Sequence, residues 1–319
     1  MQATEHASQA TTSIQLSCHE LQASIDFYQT LGFALERIRP ADAPHFASML
    51  GFGIRLEIHS EPSTAARTDY LPTQLQLSRV SDGQQWVVGR AGMQYRDLVP
   101  SRLGGTLIAS HIRIPLGGPV PDYVHYHHVG FQLIYCHRGW VKVVYEDQGE
   151  PFIMQAGDAV LQPPTIRHRV LEASDGLEVI ELSSPAEHDT WREHHINLPN
   201  PGLQAGRLYG GQQFLRFQST HTPWLEIAEG IQSQESGIAQ ASAGAVDVRI
   251  MQLHGHTHFT TQANSFCHTF IYVLDGALQL DLQGRHSMQS GDAALIPARQ
   301  GYVLQAQSDC RLLVAHLPI

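Results

Sequence analysis

The chain reads as mainly β: two small barrels built from one duplicated unit, preceded by a strand-helix-three-strand module. From Met93 onward, short β-type runs recur between Gly, Pro and Asp-x-Gly turns, the pattern of a sandwich or barrel. Two of these runs occur twice. Gly139-Trp140-Val141-Lys142-Val143 has a counterpart in Gly276-Ala277-Leu278-Gln279-Leu280, and Gly157-Asp158-Ala159-Val160-Leu161-Gln162-Pro163 in Gly291-Asp292-Ala293-Ala294-Leu295-Ile296-Pro297. A repeat on that scale implies two copies of one fold. The length, 319 residues, exceeds what one core organises.

The elements follow in order. After a polar tail over 1–11, expected to be disordered, residues 13–17 alternate like a strand. Leu21, Ile25, Tyr28 and Leu31 then fall at helical spacing, with Gly32 where a helix end favours a left-handed residue. Three short strands are predicted over 33–38, 45–50 and 54–59, closing a module at 12–61. Residues 62–92 form a connector without a clear pattern. The first barrel is expected over 93–184, with strands near 106–115, 129–136, 140–146, 152–155, 159–162, 169–171 and 177–182. A polar stretch that ends rich in Pro and Gly, 185–206, reads as a linker, and the second barrel runs over 207–319.

Composition excludes several roles. Twenty Lys and Arg against thirty Asp and Glu give a net charge of −10, so nucleic acid is not an expected partner. No apolar run approaches the ~18 to 20 residues that span a bilayer, and the N-terminus lacks the basic and apolar regions of a signal peptide. A cytoplasmic protein is expected. Cys18, Cys136, Cys267 and Cys310 show no CxxC spacing and read as free thiols. The 20 histidines direct attention to metal binding, since imidazole is the commonest metal ligand.

In the first copy, His125-Tyr126-His127 is followed after four residues by Gln132 and after six more by Gly139. Seventeen residues on, Gly157 leads across five more to Pro163 and then to His168. Positions i and i+2 of a strand share a face, so His125 and His127 can bind one ion, and His168 can add a third nitrogen from a strand returned by the hairpins. Such a set suits one divalent transition metal per chain, Fe, Zn, Ni, Mn or Cu, and does not select among them. Gln132 can ligate directly or through water without adding charge, which leaves the ion a stronger Lewis acid suited to an anionic or enolisable substrate. A carboxamide cannot act as a general base, so proton transfer falls to His128, Tyr126, His137 or a metal-bound hydroxide. Tyr123, Phe131 and Ile134 are the expected lining of a mostly apolar substrate pocket at the barrel mouth.

This joint spacing resembles the cupin superfamily, whose motifs run G-x5-HxH-x3,4-E-x6-G and G-x5-PxG-x2-H. The resemblance implies two cupin barrels (double-stranded β-helix, jelly-roll), a bicupin, with ligands His125, His127 and His168 and with Gln132 in the place of the glutamate. Thr165 replaces the second motif's middle glycine, and Pro119 stands at the leading one. In the second copy the corresponding positions hold Gln262, Asn264, Thr269 and Tyr302, so that site is degenerate; His254, His256, His258 and His268 nearby read as loop and interior residues.

The N-terminal order, with ASIDFYQTLGF at its centre, resembles one module of the glyoxalase and bleomycin-resistance (vicinal-oxygen-chelate) family. In that family two modules pair into a cup around a metal. Here Ser13 stands at the first-strand ligand position and Glu57 can match the carboxylate, so the single module is expected to be structural. Its uncovered edge should seek the second barrel or another chain, and a homodimer is expected.

The function implied is a metal-dependent enzyme acting on a small enolic or aromatic molecule, dioxygenase-type by similarity to bicupin oxygenases. A redox-neutral Lewis-acid cyclase or isomerase, and a non-catalytic small-molecule-binding protein, are the alternatives, because fold alone does not choose between them.

Overall fold

In the computed structural model, residues 12–60, 71–83, 86–263 and 266–318 are described. The expected tail, most of the first half of the connector, and Asn264 lie outside them. The chain is mainly β: two barrels preceded by a βαβββ module. No described helix is long and apolar enough to cross a membrane, and all four cysteines are free.

The module comprises strand Thr12–Cys18, helix Leu21–Thr30 and strands Ala34–Arg39, Phe46–Gly51 and Ile54–Ser60. The helix buries Leu21 and Ile25 against Leu35, Ala47, Met49, Leu56 and Ile58, the inward residues of the sheet. Gly32, at φ 93°, ends it, and its N–H closes onto the Gln29 carbonyl at 3.0 Å, a left-handed turn that a side chain would oppose.

The expected free edge does not exist on the barrel side. Strand Ala34–Arg39 pairs with Thr190–Arg192 of the same chain, which pairs in turn with His125–His127. One sheet therefore runs from the module through Thr190–Arg192 into His125–His127, His168–Ala173, Trp140–Tyr145 and Phe152–Gln155 of the first barrel. This corrects two expectations. Residues 185–206 are no loose linker, because 190–192 is the strand that joins module to barrel. Within the chain, the module's neighbour is the first barrel and not the second, while strand Thr12–Cys18, at the far side of the sheet, pairs only with Ile54–Ser60. The 185–206 segment is docked further along too: Asn200 Nδ2 donates to Asp147 at 2.6 Å, and Arg207, just beyond it, pairs with Glu146 and Asp147.

The second sheet of the first barrel holds Ala159–Gln162, Phe131–Arg138, Leu177–Ser184, Ile108–Ile114, Gln94–Asp97 and Val87–Val88. Apart from Val87–Val88, which is exposed, these strands are largely buried on both faces. Ile134, Cys136, Val160 and Val179 point into the barrel. Phe131, Leu133, Tyr135, Ile180 and Leu182 point the other way, into a core shared with Phe270, Tyr272, Leu274, Leu313 and Ala315 of the second barrel. Continuous apolar runs such as Phe270 to Leu274 thus reflect two buried faces.

The repeated Gly-Asp turns have a shared task. Asp158 accepts from the Gln155 N–H and the Ser219 N–H, and Asp292 from the Gln289 N–H and the Val80 N–H. In each copy the carboxylate closes its own hairpin and clamps an incoming arm. The arms cross over: Gln76–Ser78, which precedes the first barrel, pairs with Ala293–Ile296 of the second, and Leu215–Phe217 pairs with Ala159–Gln162 of the first. Gln76–Ser78 in the patternless connector and Leu215–Phe217 near the start of the expected second domain are therefore exchanged strands. Tyr209 likewise packs inside the first barrel, so the boundary at 207 is later in space than in sequence.

Candidate metal centre

His125 and His127 lie on the three-residue strand His125–His127, both facing inward, and His168 begins the neighbouring strand, directly opposite His125. Their ligand nitrogens lie within 4.8 Å of one another, and all three side chains are buried. Among the described residues this is the one group of His, Cys, Asp and Glu gathered closely enough to hold an ion.

Each ring is anchored by its Nδ1. His125 Nδ1 lies 2.8 Å from the Tyr123 carbonyl and His168 Nδ1 3.0 Å from the Ile166 carbonyl. A carbonyl only accepts, so both rings carry their proton on Nδ1 and present the Nε2 lone pair to the barrel interior. His127 Nδ1 is held at 3.1 Å by Thr190 Oγ1. Burial pushes His125 and His127 well below the ordinary imidazole range, helped by Arg90 and by the neighbouring histidines, and pushes His168 down to about 4. Neutral rings, two of them with the tautomer fixed by a carbonyl, are suited to a divalent metal.

Thr190 belongs to the strand that joins module to barrel and is fully buried, so the module's attachment reaches the metal centre through one hydroxyl. Thr190→Val should weaken metal binding by about 10- to 100-fold, the range for loss of an outer hydrogen-bond partner, read by chelator competition; an unchanged affinity would show that packing alone orients His127.

Gln132 also faces this cavity, and its Oε1 is buried without a hydrogen-bond partner. An orphaned acceptor on the cavity that also holds three imidazoles, two of them with the lone pair fixed on Nε2, makes a donor set for a cation, and in a protein core such an atom calls for an ion or a water. The four residues therefore fit a bound divalent metal. The second motif's loop is tied to the first by the Thr165 N–H, 3.0 Å from the His127 carbonyl. Thr165 itself sits at φ 64°, the left-handed conformation that explains a glycine at this motif position and that costs a threonine of order 1 kcal/mol.

The cavity wall is apolar, with Met93, Ile112, Val143 and Val179 among its residues, and Ile134 lines it as expected. Phe131 does not. It is one residue from Gln132 on the same strand, points to the opposite face, and packs between the barrels, because successive strand residues alternate. Tyr123 also lies off the cavity: its side chain packs against the module core and under Arg90 and Arg192. The proton-transfer candidates fare similarly. His128 is exposed, Tyr126 stacks on Trp191 outside the barrel, and His137 packs on Tyr272 of the second barrel.

Three charged residues that sequence reasoning did not single out line the cavity, Arg90, Arg169 and Glu181, and two of them touch the candidate ligands. Arg90, from the patternless connector, places Nη2 3.0 Å from His125 Nε2, and its Nη1 pairs with Asp122. Burial opposes the guanidinium charge, but Asp122, Tyr123 and Tyr95 outweigh it, so Arg90 is held above its usual range and stays cationic. Asp122 is fixed in turn by the Tyr123 and Val170 N–H groups, each at 2.9 Å. The second to touch a ligand is Glu181, whose Oε1 accepts from Gln132 Nε2 at 2.6 Å. No motif marks Arg90. Glu181 left a signal: it shares the inward parity of Leu177 and Val179, with Ser183 next on the same side.

Among its described residues the second barrel holds no comparable set. Ile231, Met251, Leu253, Ile271, Leu280 and Leu304 fill its interior, Thr269 bonds His316, and Tyr302 is buried in the same core. In the module, Glu57 is bonded by Gln15 and lies 3.9 Å from Arg37, with no metal-binding group around it among the described residues.

Residues 110–183 match the cupin domain family. That span is the body of the first barrel, and within it fall His125, His127, Gln132 and His168. A search of curated proteins returned no match. Several solved bicupin structures share the cupin architecture. Bacillus subtilis oxalate decarboxylase, in a study of its Mn(II) centres, aligns with 14% identity and a TM-score of 0.55 over 79% of each chain. Lactobacillus farciminis oxalate decarboxylase in a formate complex gives 14% and 0.56 over 79% of this chain and 88% of its own. Salicylate 1,2-dioxygenase of Pseudoaminobacter salicylatoxidans with gentisate gives 16% and 0.56 over 77% and 82%. Likeness at this identity speaks for the two-barrel cupin fold.

Proposed function

We propose that the protein is a metal-dependent enzyme whose first barrel acts on a small organic anion, an enolic or aromatic carboxylate, by dioxygenase-type chemistry. The observation that carries this reading is the convergence of three anchored imidazoles, the Gln132 oxygen and the Arg90 guanidinium on one largely apolar cavity. His125, His127 and His168, with Gln132, would hold one divalent transition metal. When bound, such an ion polarises an enolate or phenolate oxygen and, if redox-active, supports reaction with dioxygen.

The chain's own groups define the rest. One lone pair cannot serve a guanidinium N–H and a metal together, so when His125 Nε2 ligates, Arg90 Nη2 is free to donate to a substrate carboxylate. Asp122 keeps that guanidinium in place, and a guanidinium binds carboxylates through paired N–H donors. The apolar wall excludes water and leaves few polar anchors, as in small-molecule sites generally. The molecules named with the similar structures (oxalate, formate, salicylate and gentisate) are small carboxylates or their acids, which agrees with a cationic anchor.

The redox-neutral alternative drew on an ion left with its full charge by Gln132; the Glu181 carboxylate bonded to that amide offsets this and returns weight to the oxygenase reading. The test is elemental analysis of untagged protein, followed by oxygen-electrode assays of the reconstituted enzyme with hydroxylated aromatic acids and enolic acids. Turnover with stoichiometric oxygen uptake supports the proposal. Turnover without uptake would establish lyase or isomerase chemistry, and zinc as the sole native metal would exclude oxygenation, since zinc has no redox chemistry.

A further inference from the structure

The first motif's carboxylate position holds Gln132, yet a carboxylate is present one strand away. Strand Leu177–Ser184 runs antiparallel to Phe131–Arg138, with Gln132 opposite Ser183 and Ile134 opposite Glu181. Glu181 is thus the diagonal inner-face neighbour of Gln132, within reach of a long side chain. Gln132 Nε2 donates to Glu181 Oε1 at 2.6 Å, and Ser183 Oγ donates to the same oxygen at 2.9 Å. Glu181 also lines the cavity that contains the three histidines.

An ionised carboxylate only accepts hydrogen bonds. It therefore fixes which end of the neighbouring carboxamide turns toward it. The NH2 end must face Glu181, because the reversed amide would set oxygen against oxygen, and the carbonyl end is left pointing into the cavity. That end is Gln132 Oε1, buried and without a partner. A neutral amide at 181 could accept or donate and would permit either orientation. The carboxylate also polarises the amide it accepts from, which raises the basicity of the carbonyl oxygen, as a carboxylate behind a ligating imidazole does. Its charge lies one residue further from the ion than that of a ligating glutamate.

We propose that Glu181 is the displaced carboxylate of this centre: a positioning residue that holds the Gln132 carboxamide with its oxygen toward the metal and supplies the negative charge that Gln132 lacks. The inference rests on the metal-binding reading above.

The test uses purified, metal-stripped full-length protein with Co(II) as the probe, whose visible absorption reports its ligand field, and with Mn(II) in chelator competition. Wild type, Glu181→Gln, and the exchanged pair Gln132→Glu with Glu181→Gln are compared, each first checked for folding by circular dichroism. Glu181→Gln should weaken Co(II) and Mn(II) binding by about 10- to 100-fold and shift the Co(II) spectrum. The exchanged pair, which moves the carboxylate onto the motif position and gives it an amide donor, should restore affinity at least to the wild-type level. Wild-type affinity and spectrum in Glu181→Gln, or an exchanged pair as weak as the single variant, would overturn the role of Glu181 while leaving the metal centre standing. Wild-type protein that takes up neither ion would overturn both readings.

Discussion

His127→Ala and His168→Ala are each expected to leave a folded protein that has lost its metal. Content measured by plasma mass spectrometry should fall from about one ion per chain to near zero, since three imidazoles are the minimum protein set of an open catalytic site. Turnover should drop more than the roughly 10- to 100-fold that follows loss of an outer partner. The fold should survive because the barrel is held by its apolar residues, Ile134, Val143, Val160, Val179 and their neighbours, and a stability loss within about 3 kcal/mol is usual for a single substitution. His268→Ala in the second barrel is the control. There the ring accepts a hydrogen bond from the Ala298 N–H at 3.3 Å in a copy whose described residues hold no ligand set, so metal content should not change. Loss of metal in His268→Ala with retention in His127→Ala would put the ion in the wrong barrel.

Arg90 should show a split between two substitutions. Arg90→Lys keeps a cation beside Asp122 but loses the planar fork, so metal content should hold while KM for a carboxylate substrate rises by about 10- to 100-fold, because the two side chains are not equivalent where paired donors meet a carboxylate. Arg90→Ala removes the charge and leaves Asp122, whose side chain is 0% exposed, buried without its ion-pair partner and held only by backbone N–H groups. Breaking a buried pair in this way costs about 3 to 5 kcal/mol, which urea denaturation would register as a lowered midpoint. If Arg90→Lys left KM unchanged while Arg90→Ala destabilised the protein, Arg90 would be a structural clamp and the anionic-substrate assignment would fail.

Much of the metal centre was legible because its ligands are local in sequence. His125 and His127 are two apart on a strand, and the glycine and proline turns fix where His168 returns; alternation and turn chemistry act over a few residues and leave their pattern in the chain. The same rule, applied with the wrong parity, misplaced Phe131: it is adjacent to Gln132 and so must face away from it. Glu181 could have been found by extending that parity to the strand 177–184. The duplicated Gly-Asp turns were legible as a repeat, though their clamping of the exchanged arms was not.

By itself the sequence determined the mainly β architecture, the duplication, the module's element order and the gathering of His125, His127 and His168, each through contacts between near neighbours or through periodicity. The tertiary structure alone decided what meets across long separations. It brought Arg90 to His125 across 35 residues and Glu181 to Gln132 across 49. It also inserted Thr190–Arg192 between module and barrel and sent Gln76–Ser78 to the second barrel. The physical reason is that a short polar segment has no strand pattern of its own: an edge with unpaired N–H and C=O groups recruits it, and that edge exists only once the barrel has folded.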